Sequence, residues 1–278
     1  MTHNNWPGEI AAETSTGGGS ASNDTTAIAA PAAQDPLPWQ WRDVGKAILF
    51  IVLISFLVSG TILGAMIATG NGPAEGDGMA AIPLFLIGVA IYAVVLLAVY
   101  LFAARRTTVD GRDGWRLLGW RSFSIGWVWA LPGLVLVQFI GMAVANLLFV
   151  VPFVSGEYEN PQIEAITGGG MLSQRDLALL MILIAIVAPL AEELFFRGML
   201  YPLMRQRWSA TLSIVANGLL FSLIHVMPPL LPGLFVVGMV LAWVRERSGS
   251  VIPCIFLHAL QNGLVLWGIY QVVNGALG

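Results

Sequence analysis

The sequence predicts an all-α protein, in which a polytopic bundle of about seven or eight transmembrane helices follows a disordered N-terminal tail. Of the 278 residues, 57% are hydrophobic and only 10% are charged, whereas soluble domains carry about 25% charged residues. Several apolar runs exceed the length of about 18 residues that a helix needs to cross a bilayer. Together these observations exclude an ordinary soluble fold. They predict that the chain is embedded in a lipid bilayer.

Residues 1–45 are predicted to form the tail, because small and polar residues dominate them and offer little to a hydrophobic core. They lack the basic start and apolar centre of a cleaved signal peptide. Their Ala/Gly-rich composition favours a bacterial source with high GC content. Trp39 and Trp41 precede the first apolar run, a position typical of the headgroup level.

Seven apolar segments follow, and they predict the helices in order. Pro132 is expected to kink the third, and Pro228 and Pro229 end the fifth. The basic loop after the second, which contains Trp115 and Trp120, is a candidate interfacial helix. The predicted regions are the tail, N-terminal helices with the basic loop at 46–122, and a C-terminal transmembrane core at 123–278. The predicted segments are Ala47–Ala68, Ala80–Ala104, Ile125–Val154, Asp176–Arg205, Ala210–Val226, Pro232–Val244 and Val251–Val273.

The positions of the basic residues predict the orientation. Loops on the N-terminal side of the membrane hold most of the 13 Lys and Arg residues, and Arg175 is the one that falls in a loop on the far side. Acidic residues such as Glu75 and Glu157 lie in the opposite loops. By the positive-inside rule the protein is a multi-pass protein of the cell membrane with a cytoplasmic N-terminus.

A run of charged residues interrupts the fourth apolar segment, at Ala191-Glu192-Glu193-Leu194-Phe195-Phe196-Arg197. An ionisable group at a bilayer centre costs about 2.5–3.5 kcal/mol on insertion scales. Glu193 and Arg197 are four residues apart and can pair in the favourable order. Glu192 points about 100° away on a helix and is left available for chemistry.

Two further polar motifs lie in the fifth and seventh segments. Phe221 and His225 share one helical face, as do His258 and Asn262. Either motif alone is compatible with hydrogen bonds between helices. Since these groups and the Glu-Glu-Arg run lie in otherwise apolar segments, we expect a single polar cavity formed by three helices.

The residue types leave two chemical schemes open. One carboxylate and two histidines, Glu192, His225 and His258, match a catalytic zinc pattern. Without a metal, Glu192 helped by His225 would activate water, and His258 with Asn262 would stabilise the oxyanion. No cofactor is firmly implied, and zinc remains an alternative. No nucleophile motif is present, and no basic groove with stacked aromatics indicates nucleic acid.

The motifs Glu192-Glu193-x-x-x-Arg197, Phe221-x-x-x-His225 and His258-x-x-x-Asn262 occur in this order within residues 176–274. Here the chain resembles the CPBP family, the CAAX protease and bacteriocin-processing (Abi, or Ras-converting-enzyme-like) intramembrane proteases. The resemblance implies a membrane-embedded endopeptidase, of glutamate type or metallo type, that acts on a protein or peptide substrate. It implies the metal-free roles for the four polar residues, with Glu193 and Arg197 mainly structural.

Two other classes of function stay open at this point. Carboxylates and histidines in a bilayer also relay protons in transporters, although transporters often contain internal repeats and the sequence shows none. The residues could instead stabilise a non-catalytic membrane scaffold or a bacteriocin-immunity protein. Replacement of Glu192 by glutamine discriminates these alternatives, because it nearly conserves shape and removes the charge.

Overall fold

A computed structural model describes residues 37–70, 81–108, 111–153, 161–168 and 170–275. Within these ranges the protein is helical; it contains no β-strand and one isolated bridge between Thr107 and Asp113. Six described helices are long and apolar enough to cross a membrane, and a seventh apolar helix is shorter. The prediction of an all-α protein with several membrane-spanning helices is confirmed. The predicted tail lies mostly outside the described ranges.

The helices follow one another in nearly the predicted order. Three short helices form one continuous helix over Gln174–Arg205, which we call the site helix. In chain order the α-helices are α1 (Trp41–Ala68), α2 (Ala81–Val99), α3 (Gly114–Leu117), α4 (Gly126–Phe149), α5 (Pro161–Thr167), α6 (Gln174–Ile182), α7 (Ala188–Glu193), α8 (Tyr201–Arg205), α9 (Ala210–Leu223), α10 (Leu231–Ser248) and α11 (Ile252–Val273).

Several helix ends differ from the predicted boundaries for local reasons. α1 begins before the predicted Ala47, because a capping box between Gln40 and Asp43 satisfies its first backbone N–H groups. α10 extends past Val244 and ends where Gly249 adopts a left-handed φ of 66°. α9 stops at Leu223, so it is shorter than the predicted helix. Among the described residues of the basic loop, the helical part is the single turn of α3.

The site helix departs from regular α-helix twice. Two π-helical turns, Leu183–Val187 and Leu194–Leu200, lie on either side of α7. π turns occur frequently at functional sites, because the extra residue re-aims side chains and changes the backbone hydrogen-bond pattern. α7 itself carries Glu192 and Glu193. The charged pair is therefore held between two irregular turns, where the sequence pattern predicted a regular helix.

Glycines bring α9 and α10 into close contact. A Cβ on Gly238 would lie 2.8 Å from the Cα of Gly218, and a Cβ on Gly218 would lie 2.9 Å from the backbone N of Met239. No side chain fits at either position without a shift of the backbone. This crossing brings the carbonyl of Gly238 within reach of the site helix.

The basic segments predicted to share one side of the membrane make ordered contacts. Arg106 pairs with Asp43 of α1 at 2.9 Å, and Arg205 pairs with Glu246 of α10 at 3.0 Å. Arg121 donates from Nε to the carbonyl of Gly249. These contacts join the N-terminal end of α1 to the segment after α2, and the C-terminal ends of α8 and α10 to each other and to the basic loop. That this end faces the cytoplasm stays a prediction.

Candidate active site

Four polar residues of the three motifs, Glu192, His225, His258 and Asn262, line one cavity of about 180 Å³. Glu192 reaches it from α7, His225 from the turn after α9, and His258 and Asn262 from α11. Phe221 lies between the imidazoles, with its ring centroid 5.0 Å from that of His225 and 5.5 Å from that of His258. The sequence therefore identified residues that share one cavity, while their chemical roles stay predictions.

The two carboxylate oxygens of Glu192 have different surroundings. The hydroxyl of Tyr92, from α2, donates to Oε1 at 2.8 Å. Oε2 lies 3.9 Å from Nε2 of His258, which is longer than a direct hydrogen bond. The side chain is 12% exposed. One oxygen is thus held in place, and the other is free to contact a small molecule in the cavity.

A chain of buried contacts fixes the orientation of His258. Its Nδ1 lies 3.0 Å from Oε1 of Glu193, and the same oxygen accepts a hydrogen bond of 2.8 Å from Arg197. Glu193 and Arg197 are fully buried, so the predicted ion pair is present. Since an ionised carboxylate can only accept, Nδ1 of His258 carries hydrogen. Nε2 is then directed to the Glu192 side.

Arg197 makes three further contacts, two through its guanidinium and one through its backbone carbonyl. It donates to the carbonyl of Gly238 at 2.8 Å, and its Cζ lies 4.6 Å from the ring centroid of Phe221, a cation–π contact. Its own backbone carbonyl accepts from the buried Arg245 at 3.0 Å. The close crossing of α9 and α10 thus supplies an acceptor for this buried cation.

The end of α9 positions His225. The backbone N–H of His225 donates to the carbonyl of Ser222. The carbonyl of Phe221 is therefore left to accept from the ring Nδ1 of His225 at 2.8 Å. Nδ1 therefore carries hydrogen, and Nε2 is the ring nitrogen left for the cavity. The next residue, Val226, has a φ of 53°, a strained conformation for a β-branched residue. The shortened helix explains how a residue predicted near the outer end of the fifth segment reaches the cavity.

A π turn of the site helix holds Asn262. Its Nδ2 donates to the carbonyl of Ile184 at 3.0 Å, and Ile184 lies in the turn Leu183–Val187. A carboxamide nitrogen carries two hydrogens. One is used in this contact, and the second is available to the cavity.

Several residues that line the cavity were not predicted as site residues from the sequence. Tyr92 lies in an apolar span, and its lone hydroxyl there was the signal that could have identified it. Asn146 on α4 and Gln261 on α11 also line the cavity. An amide side chain in an apolar segment also indicates a polar site. Because an amide carries no charge, this indication is weaker than that of an ionisable residue.

The arrangement also tests the zinc ligand set considered from the sequence. Among the described residues, no group of three or more His, Cys, Asp or Glu side chains is placed to hold a metal ion. Glu192, His225 and His258 thus do not fit a preformed zinc site, and we assign no chemical step to a metal.

Comparison with known proteins finds a family model that matches part of the chain. Residues 174–264 match the family model described as Rce1-like, type II CAAX prenyl endopeptidase Rce1-like. Over these residues the chain is similar to that family. The match agrees with the resemblance drawn from the three motifs. No curated protein and no solved structure matches the chain.

The Rce1-like segment begins with α6 and ends within α11. It contains Glu192, His225, His258 and Asn262, whereas Tyr92 and Asn146 come from helices that precede it. The description of the matched family names CAAX prenyl endopeptidases. The protein is a multi-pass membrane protein, given its apolar helices.

Proposed function

We propose that the protein is an intramembrane endopeptidase that hydrolyses a peptide bond of a membrane-associated protein or peptide with water activated by Glu192. The observation that carries the proposal is the shared cavity of Glu192, His225, His258 and Asn262 in an otherwise apolar bundle. Four polar side chains from three helices are costly in such surroundings unless they are paired or functional. The Rce1-like match of the same segment supports a proteolytic role.

The charges of the buried groups balance in the resting state that we propose. The carboxylates Glu192 and Glu193 carry two negative charges, and Arg197 with a doubly protonated His258 carries two positive charges. Neutral sets of this kind limit the desolvation penalty of buried ions. In this state His258 donates from Nδ1 to Glu193 and presents an N–H at Nε2 to the cavity.

Attack begins with a water molecule beside Oε2 of Glu192. The carboxylate removes one proton, and the unprotonated Nε2 of His225 accepts a hydrogen bond from the remaining O–H, which orients the oxygen lone pair. The oxygen bonds to the carbonyl carbon of the scissile peptide. The developing oxyanion accepts hydrogen bonds from Nε2 of His258 and Nδ2 of Asn262, and such donors contribute about 2.7–4 kcal/mol each.

Breakdown of the tetrahedral intermediate uses the same carboxyl group. Glu192 returns its proton to the leaving nitrogen as the C–N bond breaks. The products are a carboxylic acid and an amine, which become a carboxylate and an ammonium group once the remaining proton is exchanged, and the enzyme regains its initial charges. No covalent intermediate with the protein is required.

Tyr92 acts as a positioning residue in this scheme, because its hydroxyl holds one oxygen of Glu192. Tyr92→Phe is expected to lower kcat about tenfold, since a hydrogen bond to a charged group contributes about 1.5–3 kcal/mol, part of which is lost in the transition state. KM should change by less than about twofold. The separate values of kcat and KM are measured from initial rates over a range of substrate concentrations. An unchanged kcat would contradict the positioning role.

An apolar groove next to the cavity favours a substrate with an apolar chain. The groove has a volume of about 640 Å³ and lies against α1, α2 and the site helix. It shares Tyr92, Ile166, Ile184 and Glu192 with the catalytic cavity. The prenyl group named in the family description is one chain that suits such a groove, so a farnesylated peptide is a suitable first probe.

The proposal is tested by mapping new peptide termini. Membranes from cells that produce the wild-type protein are compared by mass spectrometry with membranes that contain Glu192→Gln protein at equal amounts. We expect termini that depend on Glu192, and we expect them to persist when a metal chelator is added. If no terminus depends on Glu192, a scaffold or immunity role replaces the peptidase. Loss of the products with chelator and their return with zinc would instead support the metal-dependent scheme.

A further inference from the structure

Two carboxamides that take no part in the proposed hydrolysis also line the catalytic cavity. Asn146 reaches it from α4 and Gln261 from α11. Gln261 is only 4% exposed, and its Nε2 contacts Sδ of Met142 at 3.9 Å, a weak interaction. Oδ1 of Asn146 is buried and accepts no hydrogen bond from any residue that the structure describes. Both amides therefore have hydrogen-bonding capacity to spare.

Such groups are uncommon in a folded protein unless something binds them. Transfer of an amide to an apolar environment without a hydrogen bond costs about 1–3 kcal/mol on protein scales, and most buried polar atoms in native structures have a partner. Leucine has nearly the shape of asparagine and would fill the same space without this penalty. The pair of amides thus points to a ligand with both donors and acceptors.

Gly233 of α10 keeps the amide of Asn146 open to the cavity. A Cβ at Gly233 would lie 3.5 Å from Oδ1 of Asn146 and 3.6 Å from Cγ of Met142. Both are ordinary van der Waals distances, so a methyl group would fit and would cover the amide oxygen. The glycine is not required for helix packing at this point, and its lack of a side chain leaves space beside the buried oxygen of Asn146.

We propose that Asn146 and Gln261 bind the main chain of the substrate beside the scissile bond, an inference that rests on the proposed peptidase function. A peptide group in the bilayer core has no water to satisfy its N–H and C=O groups. A carboxamide supplies both a donor and an acceptor, and it does so whatever the side chain of the bound residue. This subsite selects an extended peptide segment, because a helix satisfies its backbone groups internally.

Three variants and one modified substrate test the inference. Asn146→Leu removes the amide, Gln261→Leu removes its counterpart, and Gly233→Ala covers the oxygen with a methyl group. The probe is a quenched fluorescent peptide that ends in farnesyl-cysteine and three further residues, or a peptide spanning a terminus found by the membrane mapping. Each variant is expected to raise KM about three- to tenfold, the effect of one hydrogen bond, with kcat changed less than twofold.

The modified substrate separates binding from structure. Peptides N-methylated at single positions near the scissile bond lose one backbone donor each. At one of these positions the wild-type KM should rise several-fold, while the KM of Asn146→Leu or Gln261→Leu protein should not rise further. The melting temperature of Asn146→Leu should be equal or higher, because an unpaired polar group is removed.

Gly268→Ala is the matched control, because it adds a methyl to α11 where no atom lies within 4 Å. Its KM should equal that of the wild type. If Asn146→Leu, Gln261→Leu and Gly233→Ala also keep the wild-type KM, the amides bind only water and the inference is wrong. If the wild-type protein cleaves neither probe and yields no Glu192-dependent termini, the proposed function fails and the subsite fails with it.

Discussion

Replacement of Glu192 by glutamine is expected to lower kcat by about 10²- to 10⁴-fold, the range for loss of a positioned general base. Glutamine keeps the shape of the side chain and an oxygen that accepts from Tyr92, so the fold should be retained. The amide cannot take a proton from water, and the first step stops. Initial rates with purified protein in detergent, together with the melting temperature, measure both expectations.

Glu246→Gln is a suitable control for this variant. Glu246 also lies on a membrane helix and accepts from Arg205 and Tyr201, but it does not line the catalytic cavity. Loss of a partly exposed pair contributes about 0–1 kcal/mol to stability, so its kcat should be that of the wild type. A Glu192→Gln enzyme with the wild-type rate would contradict the assigned base, whatever the control shows.

Site residues could be predicted from the sequence where transfer of a polar side chain into the membrane is energetically unfavourable. Glu192, His225 and His258 were identifiable because ionisable residues in apolar spans need a partner or a function. The spacing of four between Glu193 and Arg197 predicted their ion pair, which is present at 2.8 Å. The helix order followed from hydropathy alone, since a span needs a minimum apolar length.

Other features depended on interactions that no local pattern records. The π turns beside α7 arise in a helix whose sequence is compatible with regular α-helix, and one of them supplies the carbonyl that holds Asn262. Tyr92 meets Glu192 only because α2 packs against the site helix. The early end of α9 depends on the turn around Val226, whose left-handed φ is unfavourable for its residue type. These are tertiary effects, and they determine the fine geometry of the cavity.

The largest effect on stability is expected from Arg197→Met. This change removes the guanidinium from the fully buried pair with Glu193 and leaves His258 as the remaining contact of that carboxylate, and removal of one partner of a buried pair costs about 3–5 kcal/mol. The carbonyl of Gly238 also loses its donor. The protein should therefore show a much lower melting temperature in detergent, or poor yields of folded protein, and the loss of activity should follow the loss of fold.

A double variant separates the structural role of this pair from its role in orienting His258. Glu193→Leu with Arg197→Met removes both charges, and apolar replacement of a whole buried pair is often neutral for stability. The melting temperature should recover most of what Arg197→Met loses. Activity should not recover, because Nδ1 of His258 then has no carboxylate acceptor and the imidazolium is no longer stabilised beside Glu192. Recovery of both properties would show that the Glu193–Arg197 pair only supports the fold, and that His258 acts without the orientation assigned to it.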